Sequence, residues 1–226
     1  MLTIIAGFQG SLALFRELFV HEVDNVVDTD GAIAASKSAV LTANSDGTYL
    51  AQTLGVKPLP DVVEGLRQGS TSCPYGGGTY TGQEILKSAG SSSMEITATV
   101  TKATGAVGLI IAAAPDMSEY TQIIYEPSNS TLLVVRENST RMKKQFNTAT
   151  VTGYFAPYTT KCWGGSEEQE AITMDVFLDG SLLEVYVNDR FALATRIYPA
   201  STCSTGKSIL IPIGLWVFVA DICISE

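Results

Sequence analysis

Residues 172–199 read ITMDVFLDGSLLEVYVNDRFALATRIYP. Three runs of apolar, β-branched and aromatic residues lie here, separated by two turn signals. Met174–Leu178 is followed by Asp179-Gly180, and Leu182–Val187 by Asn188-Asp189; Phe191–Tyr198 stops at Pro199. Glycine, and less readily aspartate, tolerates the positive φ of a tight hairpin turn. Asp-Gly between apolar runs therefore predicts a two-residue connection. Side chains alternate along a strand, so Leu183, Val185 and Val187 share one face and Leu182, Glu184 and Tyr186 the other. The stretch predicts an antiparallel meander with at least one buried face.

The same grammar extends outward. Met94–Lys102 alternates, with Met94, Ile96, Ala98 and Val100 on one face and Glu95, Thr97, Thr99 and Thr101 on the other. Val107–Ala114 is continuously apolar, which predicts a strand in the middle of a sheet. Tyr120–Tyr125 and Thr131–Val135 flank the turn segment Glu126–Ser130. Lys143–Phe155 is mixed, Tyr158–Glu170 reads as a polar loop carrying Cys162 and Trp163, and Ser208–Cys223 is a last apolar segment. Near the start, Leu2–Ile5 and Ser11–Val20 read as strands. A signal peptide fits less well, because no basic residue precedes Arg16. Residues 29–38 suit a loop or weak helix. Short strands are expected at 39–42 and 48–54, a stiff break at 57–60 and a short helix at Asp61–Arg67 ended by Gly69. The glycine-rich STSCPYGGGTYTG at 70–82 lacks the Gly-Lys-Ser/Thr ending of a phosphate-binding loop and reads as a turn. Many short strands with almost no helical period predict an all-β sandwich or barrel.

Composition narrows the chemistry. Hydrophobic residues make up 46% of the 226 and charged residues 16%, which suits a globular protein with a sizeable core. The net charge of −9, with only 14 Lys and Arg, argues against a nucleic-acid partner. No apolar run is long enough for a membrane-spanning helix. The single histidine, His21, would have to serve any Ser-His-Asp triad, and its alternating neighbours make it a polar strand position. Cys73, Cys162, Cys203 and Cys223 contain no C-x-x-C pair and are compatible with one or two disulfides, in any of three full pairings. Asn129-Ser130-Thr131 and Asn138-Ser139-Thr140 are N-glycosylation triplets. Both features lean towards an oxidising, extracellular setting. No cofactor or metal site is expected.

The wording of the meander is recognisable. Asp179, Gly180, Ser181, Glu184, Val185, Tyr186, Asn188 and Asp189, then Arg196, Ile197, Tyr198 and Pro199, resemble a signature near the C-terminal end of glycoside hydrolase family 32. These are the invertases, inulinases, levanases and fructosyltransferases. Upstream, IIYEPSNSTLLVVRENST resembles the family's Y-D-P-x-x-x-x-L-x-[VI]-D-R-x-x-S, with Val135 where an Asp is usual before Arg136. FQGSLALFRELFV resembles W-x-G-x-L-x-L-P-R-E-L, with Phe8 for Trp and Phe15 for Pro. The resemblance is strong over residues 120–199, moderate over 1–23 and weak between.

It implies a two-sheet antiparallel β-sandwich (71–226), preceded by a linker (29–70) and the last strands of a five-bladed β-propeller (1–28). The conspicuous positions Asp179, Gly180, Glu184, Asn188, Arg196 and Pro199 are then structural. The family's catalytic carboxylates lie in N-D-P-N-G, R-D-P and E-C motifs, and none of these occurs here. Asn188-Asp189-Arg190 begins like the first, but reads as a turn. Glu184 with Asp179 or Asp175 could be imagined as the two carboxyls of a retaining glycosidase; its expected role is instead an ion pair or hydrogen bond, with Arg196 as the candidate partner. The implied function is a non-catalytic accessory module of a β-fructofuranosidase-like enzyme, inactive alone, whose partner is a catalytic propeller absent from this chain. The alternatives are a carbohydrate-binding module using Trp163, Tyr154, Tyr158 or Tyr75, and an enzyme completed in trans. Residues 2–20, without the rest of a propeller, are expected to promote self-association.

Overall fold

The computed structural model describes the backbone of residues 12–78, 84–88, 93–101, 103–199, 207–212 and 218–224, and the side chains of 12–72, 93–101 and 103–199. The expected strand at Leu2–Ile5, the side chains of Tyr75, Cys73, Cys203 and Cys223, and residues 2–11 of the self-association segment lie outside that set.

The fold is all-β, with three antiparallel sheets. Two form the sandwich. In the first, β15 (Phe191–Arg196), β14 (Leu182–Val187), β13 (Ile172–Asp179), β6 (Ser93–Val100), β17 (Phe218–Ile224) and β4 (Thr71–Gly78) lie side by side in that order. In the second the order is β10 (Val151–Tyr154), β9 (Thr131–Val135), β8 (Thr121–Glu126), β7 (Val107–Ala113), β16 (Lys207–Pro212) and β5 (Glu84–Ser88). The meander supplies three adjacent strands, and the all-apolar β7 is central with every residue buried. Alternation decides which side chains face inward. Met94, Ile96 and Ala98 of β6, Met174 and Val176 of β13, and Leu183 and Val185 of β14 meet Leu109, Ile123, Leu132 and Val134 of the opposite sheet in one core. Full burial of a side chain of this size stabilises by roughly 1.5–3 kcal/mol. Gly108 permits the closest approach. A Cβ there would lie 1.8 Å from the Ile123 carbonyl oxygen on β8.

The third sheet has the order β12 (Glu167–Gln169), β11 (Thr159–Lys161), β1 (Arg16–Val26), β3 (Tyr49–Pro58), β2 (Val40–Ala43). Three readings change here. The expected polar loop at 158–170 contains a two-stranded hairpin that joins this sheet. β3 runs on through Lys57-Pro58, where a break was expected, because its pairing with β1 continues to Arg16↔Pro58. The strand expected to begin at Ser11 begins at Arg16. The short helices α1 (Ala32–Ser36) and α2 (Pro60–Arg67) complete the described elements. α2 starts with proline in its first turn, where the missing N–H costs no bond, and Gly69 beyond it takes φ +80.

One face of the third sheet is covered. Val26, Ala51 and Tyr158 are buried, with Val23, Leu41 and Ile33 of α1 packed on them. The other face is not. The pairing aligns Leu18 with Val56, Val20 with Leu54, and both Glu22 and Val40 with Gln52. Leu18, Val20, Leu54 and Val40 therefore share that face, and all are largely exposed.

Candidate functional site: the outer face of the meander

The outward-facing residues of β13, β14 and β6 include Glu184, Glu95, Asp175, Tyr186 and Thr97. Glu184 is 1% exposed. Its Oε1 accepts the Leu14 N–H at 2.8 Å. Its Oε2 accepts from Arg16 Nη2 at 3.0 Å and from the Tyr186 hydroxyl at 2.8 Å. Arg16 Nε also donates to the Tyr186 hydroxyl, at 3.1 Å. Burial, together with the hydrogen bond to the Glu184 carboxylate, pushes the Tyr186 pKa up to about 12. The phenol thus stays protonated, as its donor role requires.

Glu184 pairs with Arg16, not with Arg196 as expected. The register explains it: Glu184 stands opposite Ala194, and Arg196 opposite Leu182. Arg196 donates from Nε and Nη2 to Ser181 Oγ, at 3.2 and 2.7 Å. Its carbonyl accepts from the buried Arg136, whose guanidinium also holds the Ala149 carbonyl.

The remaining conspicuous positions shape turns. Gly180 takes φ +56, and the Asp179 carboxylate accepts from Ser93 Oγ. Asn188 and Asp189 take φ +47 and +53, and Arg190 N–H closes on the Val187 carbonyl. Positive φ at both central residues gives the primed turn that suits the strand twist. The Asn188 amide accepts from Thr173 N–H at 2.7 Å and donates to the Ala171 carbonyl at 2.8 Å, which stitches the turn to β13. Asp189 is committed through its backbone: its carbonyl accepts the Val56 N–H of β3. Pro199 follows Tyr198, whose ring stacks on Phe146 at 4.0 Å.

Glu184 and Glu95 are not spaced as a catalytic pair, and Asp175 and Asp179 stand diagonal to Glu184, opposite Tyr186 and Leu182. Phe177 stands between Glu184 and Glu95 in register, each one strand away on opposite sides. Two strand spacings are about 10 Å, against roughly 5–5.5 Å for retaining glycosidases. Glu95 is closed off by Arg67 of α2, at 2.5 and 2.8 Å. Asp175 is held by the Thr97 hydroxyl, and burial raises its pKa. Among the described residues no group of His, Cys, Asp and Glu converges as a metal site would require, and no helix is long and apolar enough to cross a membrane.

Three of the aromatic candidates are described, and they differ in exposure. Trp163 is fully exposed at the tip of the β11–β12 hairpin, and Tyr154 is largely exposed, whereas Tyr158 is buried. Cys162 beside Trp163 is a free thiol, so the two-disulfide arrangement is not formed. Arg190 was read only as part of a turn. Its guanidinium is buried between the Tyr158 and Phe155 rings, 4.1 and 4.8 Å from their centroids, and pairs with Glu170. Burial lowers its pKa to about 10, so it remains cationic at neutral pH.

Two of the three segments that carry the resemblance, the one that contains Arg16 and residues 172–199, thus meet in space through Arg16 and Glu184. The sequence model of the C-terminal domain of glycosyl hydrolases family 32 matches residues 63–210. The chain belongs to that family. Solved structures agree on the fold. A fructosyltransferase from A. japonicus superposes with a TM-score of 0.88 at 24% identity, over 99% of this chain and 37% of that one. A β-fructofuranosidase from Aspergillus kawachii gives 0.83 at 25% identity, over 93% and 37%. An exo-inulinase from Aspergillus awamori gives 0.60 at 16%, over 83% and 34%. No curated protein sequence matches. The chain spans about a third of the length of these enzymes. Within this family 32 C-terminal domain fold, Glu184 anchors β1 and the residues before it through Arg16 and Leu14.

Proposed function

We propose that this chain is the accessory, non-catalytic module of a β-fructofuranosidase-like hydrolase acting on sucrose or fructans, and that it docks on a catalytic propeller module. The observation that carries the reading is the uncovered apolar face formed by Leu18, Val20, Leu54 and Val40. It lies on the sheet tethered to the sandwich by Arg16–Glu184. Each of the four is about two-thirds exposed. Covering all four would supply about 4–8 kcal/mol, enough to orient one module on another. The match of this chain to about a third of several longer fructan- and sucrose-related enzymes argues for the catalytic module as occupant. The division at residues 28 and 70 into propeller strands, linker and sandwich belongs to the same proposal.

The test is hydrogen exchange on β1 and β3 in the chain alone and joined to a family 32 catalytic module. Slowed exchange at Leu18, Val20 and Leu54 in the joined protein is expected. Unchanged exchange there, with a folded and active catalytic module, counts against the reading. In the chain alone, protection that rises with concentration indicates that a second copy covers the face, as the self-association reading for residues 2–20 requires.

An extracellular setting accompanies this proposal. Asn129, exposed in the β8–β9 turn, is the better glycan acceptor. The Asn138 amide nitrogen already donates to the Tyr120 hydroxyl at 2.9 Å, and Ser139 and Thr140 are buried.

A further inference from the structure

A cavity of about 290 Å³ opens where the covered face of the third sheet meets the sandwich. Asp28, Asp30, Ser36, Tyr154, Tyr158 and Arg190 are among its lining residues. It lies away from the Glu184 network and from the apolar face.

Two observations give it a ligand chemistry. Tyr154 is 67% exposed while its neighbours Phe155 and Tyr158 are buried, so one aromatic surface is left uncovered. The two aspartates are fixed by the chain. Asp28 accepts from the Ile33 and Ala34 N–H groups, and Asp30 Oδ1 accepts from the Ala32 N–H. Carboxylate oxygens keep further lone pairs for hydroxyl donors.

These features select by charge and size. Two aspartates repel an anion, and among the described residues no third carboxylate, His or Cys joins them to hold a metal ion. What fits is a neutral molecule whose hydroxyls donate and which has an apolar C–H face for a tyrosine. The volume is at the small end of ligand pockets, which run to roughly 300–1,000 Å³, and suits a single sugar ring.

We propose that this cavity is a non-catalytic saccharide subsite. Tyr154 stacks on the sugar ring, and Asp28 and Asp30 accept from ring hydroxyls. The choice of fructosyl sugars as probes rests on the function proposed above; the subsite itself rests on the cavity.

The experiment is a titration of the isotopically labelled chain with fructose, sucrose and glucose, followed by amide NMR. Saturable shifts in residues 28–38 and 154–159, with a Kd in the millimolar range, are expected. Tyr154→Ala should weaken binding about tenfold, the equivalent of about 1.4 kcal/mol. It should leave the melting temperature unchanged, because the ring is exposed. Asp30→Asn, which keeps the side chain's size, should weaken binding several-fold. No saturable shift with any of the three sugars, or full binding by Tyr154→Ala, would overturn the proposal. Binding of glucose with rejection of fructose and sucrose would uphold the subsite and count against the fructan reading, so the two fail separately.

Discussion

Replacing Glu184 by alanine separates a tether from a catalytic group. The side chain is 1% exposed and accepts three hydrogen bonds, from Leu14 N–H, Arg16 and the Tyr186 hydroxyl. Breaking a buried ion pair from one side costs roughly 3–5 kcal/mol. The Arg16 side chain is 30% exposed and can regain water, which places the expected loss near the lower end, at about 3 kcal/mol. For a domain of this size that is a fall of roughly 6–12 °C in Tm. Thermal and urea unfolding of Glu184→Ala, Arg16→Met and the double variant give the coupling directly. An interaction of about 1–2 kcal/mol is expected. Hydrogen exchange at Leu14 should accelerate in Glu184→Ala and less so in Glu184→Gln, which retains an acceptor. A coupling below about 0.5 kcal/mol, or an unchanged Leu14 amide, would refute the assignment of Glu184 as the anchor of the entering strand.

Other expectations follow from single contacts. Gly108→Ala should destabilise by about 1–3 kcal/mol or prevent folding, since the new Cβ meets the Ile123 carbonyl; an unchanged urea midpoint would show that β7 and β8 can separate. Burial, and the positive charges of Arg190 and Lys57 against the opposing Asp189, hold the His21 pKa below 6.5. The unfolded chain therefore takes up a proton first as pH falls, so stability is full above about pH 6.5 and declines below it. His21→Gln should flatten that decline in a pH series of melting temperatures, and an unaltered slope would exclude His21 as its source. Tyr186, with a folded pKa of about 12, should ionise late in an ultraviolet titration. Because its pKa is raised, its contribution is complete below about pH 10 and is lost as pH rises towards 12. Tyr186→Phe should remove that component.

The sandwich was legible because its signal is local. Period-2 alternation in Met94–Val100 and Ile172–Val187 placed the core side chains, and the continuous run at Val107–Ala113 placed the central strand. Asp179-Gly180 and Asn188-Asp189 named the turns. The third sheet was hard to read because its partners are remote. Thr159–Lys161 looks polar and loop-like, and only its pairing with Glu167–Gln169 and with Val26 makes it a strand. The Arg16–Glu184 pair joins residues 168 positions apart, and no periodicity predicts it; Arg196, nearer in sequence and on the neighbouring strand, was the natural but wrong partner. Arg190 left no sequence signal beyond its place after a turn. Its stacking between Tyr158 and Phe155 depends on β10 reaching the meander, which only the tertiary structure shows.

The central claim is that this chain carries a family 32 accessory fold whose carboxylates serve structure. The most direct measurement is release of glucose and fructose from sucrose, and of fructose from inulin, by the purified 226-residue chain. The account predicts rates equal to the buffer blank, unaltered by Glu184→Gln. Turnover above the blank that is abolished by Glu184→Gln, in a protein that remains folded, would contradict it.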